Sequence, residues 1–202
     1  MADMWAFHFA SEHWTKLAEI TPAGARFGHA AAAPPGVRPA AGGLPRLYLF
    51  GGVVQAVGPG AAGLRRAPTG SATSSLFECN AATGACEDIS FGCAPSSADS
   101  AGADFMPAAL GPRYGHAVAA TDLEVLVHGG AADPAGSGSG VFAFSPAACA
   151  WREAAPGATH LAAPGAERTE HAGAVLGDGR TLMLVGGRAG GDYSTQPLLL
   201  HV

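Results

Sequence analysis

Eight histidines and four cysteines are the side chains of this sequence best suited to hold a metal or act as nucleophiles. Three of the histidines, His29, His116 and His171, each stand three residues after an arginine: Arg26, Arg113 and Arg168. Cys79, Cys86 and Cys93 follow one another at intervals of seven, with Cys149 further on. Zinc is usually held by cysteines and histidines delivered as close-spaced pairs. No such cysteine pair occurs here, and no histidine stands near the cysteines, so the thiols are expected to be free and buried or half-buried, with no metal. Glu124 with His128, and Glu167 with His171, fall on one side of a strand but about 13 Å apart along it, too far to share an ion. The zinc-protease, nucleophile-elbow and phosphate-loop motifs are all missing, and "GSGSGV" at 136–141 has no helix after it. These residue types predict neither an enzyme nor a cofactor.

The elements that position these residues follow from composition and period. A chain of 202 residues, 48% hydrophobic and only 13% charged, can build a packed core. Thirty glycines and fifteen prolines without a collagen-like period suit an all-β protein rich in turns. A formal charge of -5, one lysine against ten arginines and no basic stripe argue against nucleic-acid binding. No apolar run reaches the length of a membrane span, and the first residues lack the pattern of a secretory signal, so the expected location is cytoplasmic with no membrane association.

The arginine and histidine belong to a unit that recurs three times. After each histidine come a short apolar strand (a), a turn, and a second strand (b) that ends in a glycine pair: Gly51 and Gly52, Gly129 and Gly130, Gly186 and Gly187. The b strands "LYLF", "EVLVH" and "LMLV" are too short for helices and are bounded by turn formers. A third strand (c) follows as "SLFECN", "VFAFSP" or "PLLLHV", and a fourth (d) as "ACEDI" or "AWREA". "DMWAFHF" and "HWTKL" supply a further c and d at the N-terminus. The unit is a four-stranded antiparallel meander, and residues 1–20, 21–90, 91–154 and 155–202 divide as a partial, two complete and another partial unit of one region.

In these residues the chain resembles the kelch-repeat β-propeller family, whose blades combine an Arg-x-Gly-His turn, a strand with a glycine pair, an aromatic strand and a tryptophan. The resemblance implies an all-β, kelch-type propeller arc of about three to four four-stranded blades, part of a larger ring. Two departures stand out: Cys86 lies near the place of the tryptophan in the middle of the chain, and Thr169 and Glu170 replace the aromatic and glycine of the last unit. Trp14 and Trp151 are expected to wedge between successive blades. The arginines are expected to bond carbonyls or carboxylates between blades, and the histidines to pack and bond backbone.

Function then falls to loops. In a meander the b–c and d–a connections share one face, and the longest of them lie there. Arg65, Arg66, Asp99, Asp104, Asp133, Arg188, Asp192 and Tyr193 are its candidate binding residues. The resemblance implies a non-catalytic protein-interaction module or assembly subunit. A kelch region of a larger enzyme, such as a wybutosine-type tRNA methyltransferase, and a small-molecule or metal-binding propeller are the alternatives. Thirteen strands fall short of the sixteen or so that the smallest closed ring needs. Expected partners are therefore proteins, including one that completes the ring in trans or a second copy of the chain.

Overall fold

The computed structural model describes residues 3–19, 23–34, 36, 46–55, 70–90, 106–132, 136–138, 140–154 and 167–202. Its first layer is an antiparallel hairpin of β1 (Asp3–His8) and β2 (His13–Glu19). After the short β3 (Arg26–Phe27) comes a four-stranded layer made of β4 (Ala30–Ala32), β5 (Arg46–Phe50), β8 (Leu76–Asn80) and β9 (Cys86–Asp88), with β6 (Val53–Gln55) and β7 (Gly70–Ala72) in the excursion after β5. A 3-10 turn over Ala108–Leu110 leads into the next layer. This layer contains β10 (Ala117–Ala120), β11 (Val125–His128), β14 (Val141–Ser145) and β15 (Ala150–Glu153), with β12 (Ala131–Ala132) and β13 (Gly136–Ser137) after β11. The last layer has three strands, β16 (Ala172–Val175), β17 (Thr181–Val185) and β20 (Leu198–His201), with β18 (Arg188–Ala189) and β19 (Asp192–Tyr193) after β17. Every layer is antiparallel, and the described fold is all-β.

Side-chain alternation along the strands builds the core between layers. All four residues of β11 are buried, as in a strand covered on both faces. Val125 and Val127 join Tyr48, Phe50 and Leu76 of the preceding layer. Leu126, between them, joins Leu182, Leu184 and Leu200 of the following one. Phe142 and Phe144 of β14 likewise turn back and Val141 and Ala143 turn forward. A period of two thus sorts each strand between two interfaces, and a register slip of one residue would exchange them.

The c–d pairs repeat in register. Phe7 faces Trp14, Cys79 faces Cys86 and Phe144 faces Trp151. Trp151 behaves as the sequence suggests: its ring lies 5.2 Å from Phe144 and 5.6 Å from Phe50 of the preceding layer. Its indole N–H is buried and finds no partner among the described residues. Two expectations are corrected here. Trp14 is not a buried wedge: it is 65% exposed, against Phe7 at 5.1 Å, because no described layer precedes it. Nor are the cysteines free thiols. Cys79 and Cys86 form a disulfide with Cα atoms 4.0 Å apart, and Cys149 is also disulfide-bonded. Spacing alone concealed the pair, because the c–d turn is what sets residues seven apart side by side.

Trp151→Ala should cost about 3 to 4 kcal/mol in denaturant unfolding, as for a large aromatic lost from a packed interface. Trp14→Ala should cost the isolated chain less than about 1 kcal/mol, as at exposed sites; equal losses would contradict the assignment. Unfolded without reductant, the chain should leave Cys79, Cys86 and Cys149 unlabelled by a thiol reagent, since all three are bonded.

Candidate functional site

The repeated arginine, glycine pair and histidine form one node. Arg26, Arg113 and Arg168 each donate from Nη1 to the carbonyl of the first glycine of their own unit's pair: Gly51 at 2.9 Å, Gly129 at 2.7 Å and Gly186 at 3.4 Å. Arg113 is 3% exposed, and it also reaches the carbonyls of Leu110 at 3.1 Å and Ala109 at 2.7 Å. A buried cation is tolerable when its donors are met this way. The bonds thus lie within a layer, not between layers as expected for the arginines. Successive layers are joined by backbone instead. The amides of Gly52 and Gly130 donate to the carbonyls of Arg113 and Arg168 in the next layer, at 2.8 and 2.7 Å. Gly115 donates to Gly28 at 2.8 Å, and Glu170 to Gly115 at 2.6 Å.

Glycine is required at these approaches. A Cβ on Gly129 would meet His171 Cε1 at 2.7 Å, and one on Gly130 would meet His116 Cβ at 2.8 Å, both at positive φ. Glu170 breaks the pattern in sequence but not in shape: its φ of 57° matches the 64° of Gly28 and 63° of Gly115. The turn geometry is kept at the expense of left-handed strain in a residue with a Cβ.

The histidines serve the same joints. His116 Nε2 lies 3.1 Å from the Phe50 carbonyl of the preceding layer. His171 Nε2 lies 3.0 Å from Nδ1 of His128, so one neutral ring donates to the other. Burial, aided by the Arg113 charge, pushes the His116 pKa down to about 3. Burial, with Arg168, pushes that of His171 down to about 4. Partial burial, with the Arg26 charge, lowers that of His29, whose residue is exposed overall. His116 and His171 are buried, neutral donors and acceptors at their joints.

The two loop faces hold the exposed functional groups. On the b–c face, each excursion starts as a small antiparallel ribbon tied to the arginine turn: β3 pairs with β6, Tyr114 bridges Ala131, and Thr169 bridges Arg188. Of the predicted binding residues, Arg188, Asp192 and Tyr193 come together on the β18–β19 hairpin. The Arg188 guanidinium lies 5.6 Å from the centre of the Tyr193 ring, and Tyr193 is 79% exposed. Arg65, Arg66, Asp99, Asp104 and Asp133 lie outside the described residues.

The opposite face carries a feature that sequence reading missed. The a–b turns of the last two layers enclose an open groove of about 530 Å³. Its charged lining includes Asp122, Glu124, Arg152, Asp178 and Arg180. Most of these charges are already engaged. Arg152 grips Glu124 through two bonds of 3.0 and 2.6 Å. Asp178 accepts from the Thr181 hydroxyl at 2.6 Å and from the amides of Arg180 and Thr181 at 2.9 Å. Those bonds, the Thr181 hydroxyl first, hold its pKa down at about 2. Within the groove Arg152 and Glu124 thus satisfy each other's charge.

His116 and His171 should make the fold acid-sensitive. Both bind fewer protons folded than unfolded below about pH 6.5. Their stabilisation is therefore complete above that pH and is lost as pH falls toward about 4 and about 3. Urea unfolding at pH 5 should show a deficit against pH 7 of about 2 kcal/mol for each histidine, and His116→Phe should shrink it. Unchanged stability would contradict their burial as neutral rings. At the strained turn, Glu170→Gly should raise stability by about 1 kcal/mol, the cost of left-handed backbone with a Cβ.

No protein-family model and no curated protein matches the sequence. Among solved structures the chain is similar to one titled "Structure of YjhT", with a TM-score of 0.57 and 14% identity. The match covers all of this chain and half of that one, so the chain spans half the length of its structural neighbour. Likeness at that identity extends to the fold: an all-β, propeller-like arrangement of antiparallel layers.

Proposed function

We propose that the chain is a kelch-repeat propeller region that works as a non-catalytic protein-interaction module or assembly subunit, through its b–c and d–a loop face. The observation that carries this reading is the β18–β19 hairpin. It holds an exposed tyrosine against an arginine on a ribbon anchored to the buried arginine turn. Tyrosine and arginine are the residue types that most often anchor protein interfaces, and a rigid base reduces the ordering cost of binding. The motif arginines are engaged within their layers and His116 and His171 at the joints between layers, which leaves these five residues buried or half-buried inside the fold.

The disulfide chemistry adds a location to the reading. Cross-linked cysteines persist in oxidising compartments, so Cys79–Cys86 and the bonded Cys149 favour such a compartment over the cytoplasm. None of the described helices is long and apolar enough to cross a membrane.

The test is affinity capture with the immobilised chain from an extract of its source cells, read by mass spectrometry. A defined protein should be retained, and the double change Arg188→Ala and Tyr193→Ala should reduce its recovery at least tenfold while leaving the melting curve unchanged. Recovery unaffected by the double change would contradict a role for this face.

A further inference from the structure

The two ends of the layer stack carry the two halves of an interface that the chain already makes internally. Phe50, His128 and Val185 occupy one place in the fold: each ends its b strand, faces the first residue of its a strand, and precedes the glycine pair. Phe50 is covered by His116 and Trp151 of the next layer, and His128 by His171. Val185 has no such aromatic cover among the described residues and is 48% exposed. Leu199 pairs with Met183, two residues from Val185 on the same face, and is 53% exposed.

At the other end, Trp14 occupies the place of Trp151. It faces Phe7 as Trp151 faces Phe144, but the layer it would wedge against is not among those described. Trp5, two residues from Phe7 on the same side of β1, is 49% exposed. The hairpin itself is fixed in place by its other side, where Met4 packs on the cluster of Leu49, Phe77 and Cys79. Its aromatic side therefore points away from the chain's own core.

We propose that the exposed face around Val185 and Leu199 receives the Trp14–Phe7 face of a second copy of this chain, and reciprocally, so that two arcs close head to tail. Two observations carry this. The contact continues the Phe50–Trp151 interface with the tryptophan in the corresponding place. Both surfaces belong to one chain, so a copy supplies the matching half of each. A heterologous contact of this kind closes only if the rotation allows it, and two arcs joined at both ends are the closed case. The surfaces differ from the loop face proposed above, so either reading can fail alone.

Analytical ultracentrifugation of the full, oxidised chain at micromolar concentration tests the pairing. The expected species is a dimer of twice the chain's mass. Trp14→Glu and Val185→Glu should each yield a monomer that still melts cooperatively, since both positions are exposed, and the milder Trp14→Ala should weaken dimerisation at least tenfold. Mixing the two Glu variants should restore a dimer, because one intact Trp14 then meets one intact Val185. A monomeric unmodified chain, a dimer that survives either Glu variant, or a mixture that stays monomeric would overturn the proposal.

Discussion

The organising constraint of this structure is a buried arginine with only backbone carbonyls to satisfy it. Arg113 sits at the mouth of its layer and draws the Gly129 carbonyl, at the end of the second strand, toward the turn before the first. The strand ends are therefore held at a fixed distance, and the glycine pair that follows comes against the next layer without a side chain between. Only then can Gly130 donate to Arg168 and Gly52 to Arg113. One cation thus fixes both the shape of a layer and the spacing between layers, and the histidine beside it must remain neutral in the same dry space.

Much of this was legible in the sequence, and for a physical reason. Strands covered on both faces are apolar throughout, glycine pairs mark their ends, and the arginine and histidine recur because the same joint recurs. The strands of the main layers are accordingly found where "LYLF", "EVLVH" and "VFAFSP" place them. The short ribbons β6–β7, β12–β13 and β18–β19 carry two or three residues per strand, too few for a period to show. Glu170 illustrates the opposite limit, because the sequence departs while the backbone conformation persists.

What the sequence hid depends on juxtaposition across turns or layers. Cys79 and Cys86 become neighbours through a c–d turn, in the place where another layer sets Phe144 against Trp151. A disulfide and an aromatic pair thus solve one problem, the fastening of an outer strand, in two ways. Trp14 was misjudged because its residue type fits a wedge, while burial depends on what stands opposite. The charged groove joins turns more than fifty residues apart in sequence, and no local pattern announces it. Arginine, aspartate and tyrosine gather in a loop whose face the meander topology determines, and the structure sets them on the β18–β19 hairpin.

The central claim is that the arginine node is the rigid hub from which both layer spacing and loop presentation follow. Amide hydrogen exchange of Gly52 and Gly130 tests it most directly, because their N–H groups bond across layers only if the node is closed. Buried hydrogen bonds that open only on global unfolding exchange most slowly. The account predicts that these two amides exchange among the slowest in the chain, far more slowly than those of the exposed β18–β19 hairpin. Exchange of Gly52 and Gly130 at the hairpin's rate would contradict it.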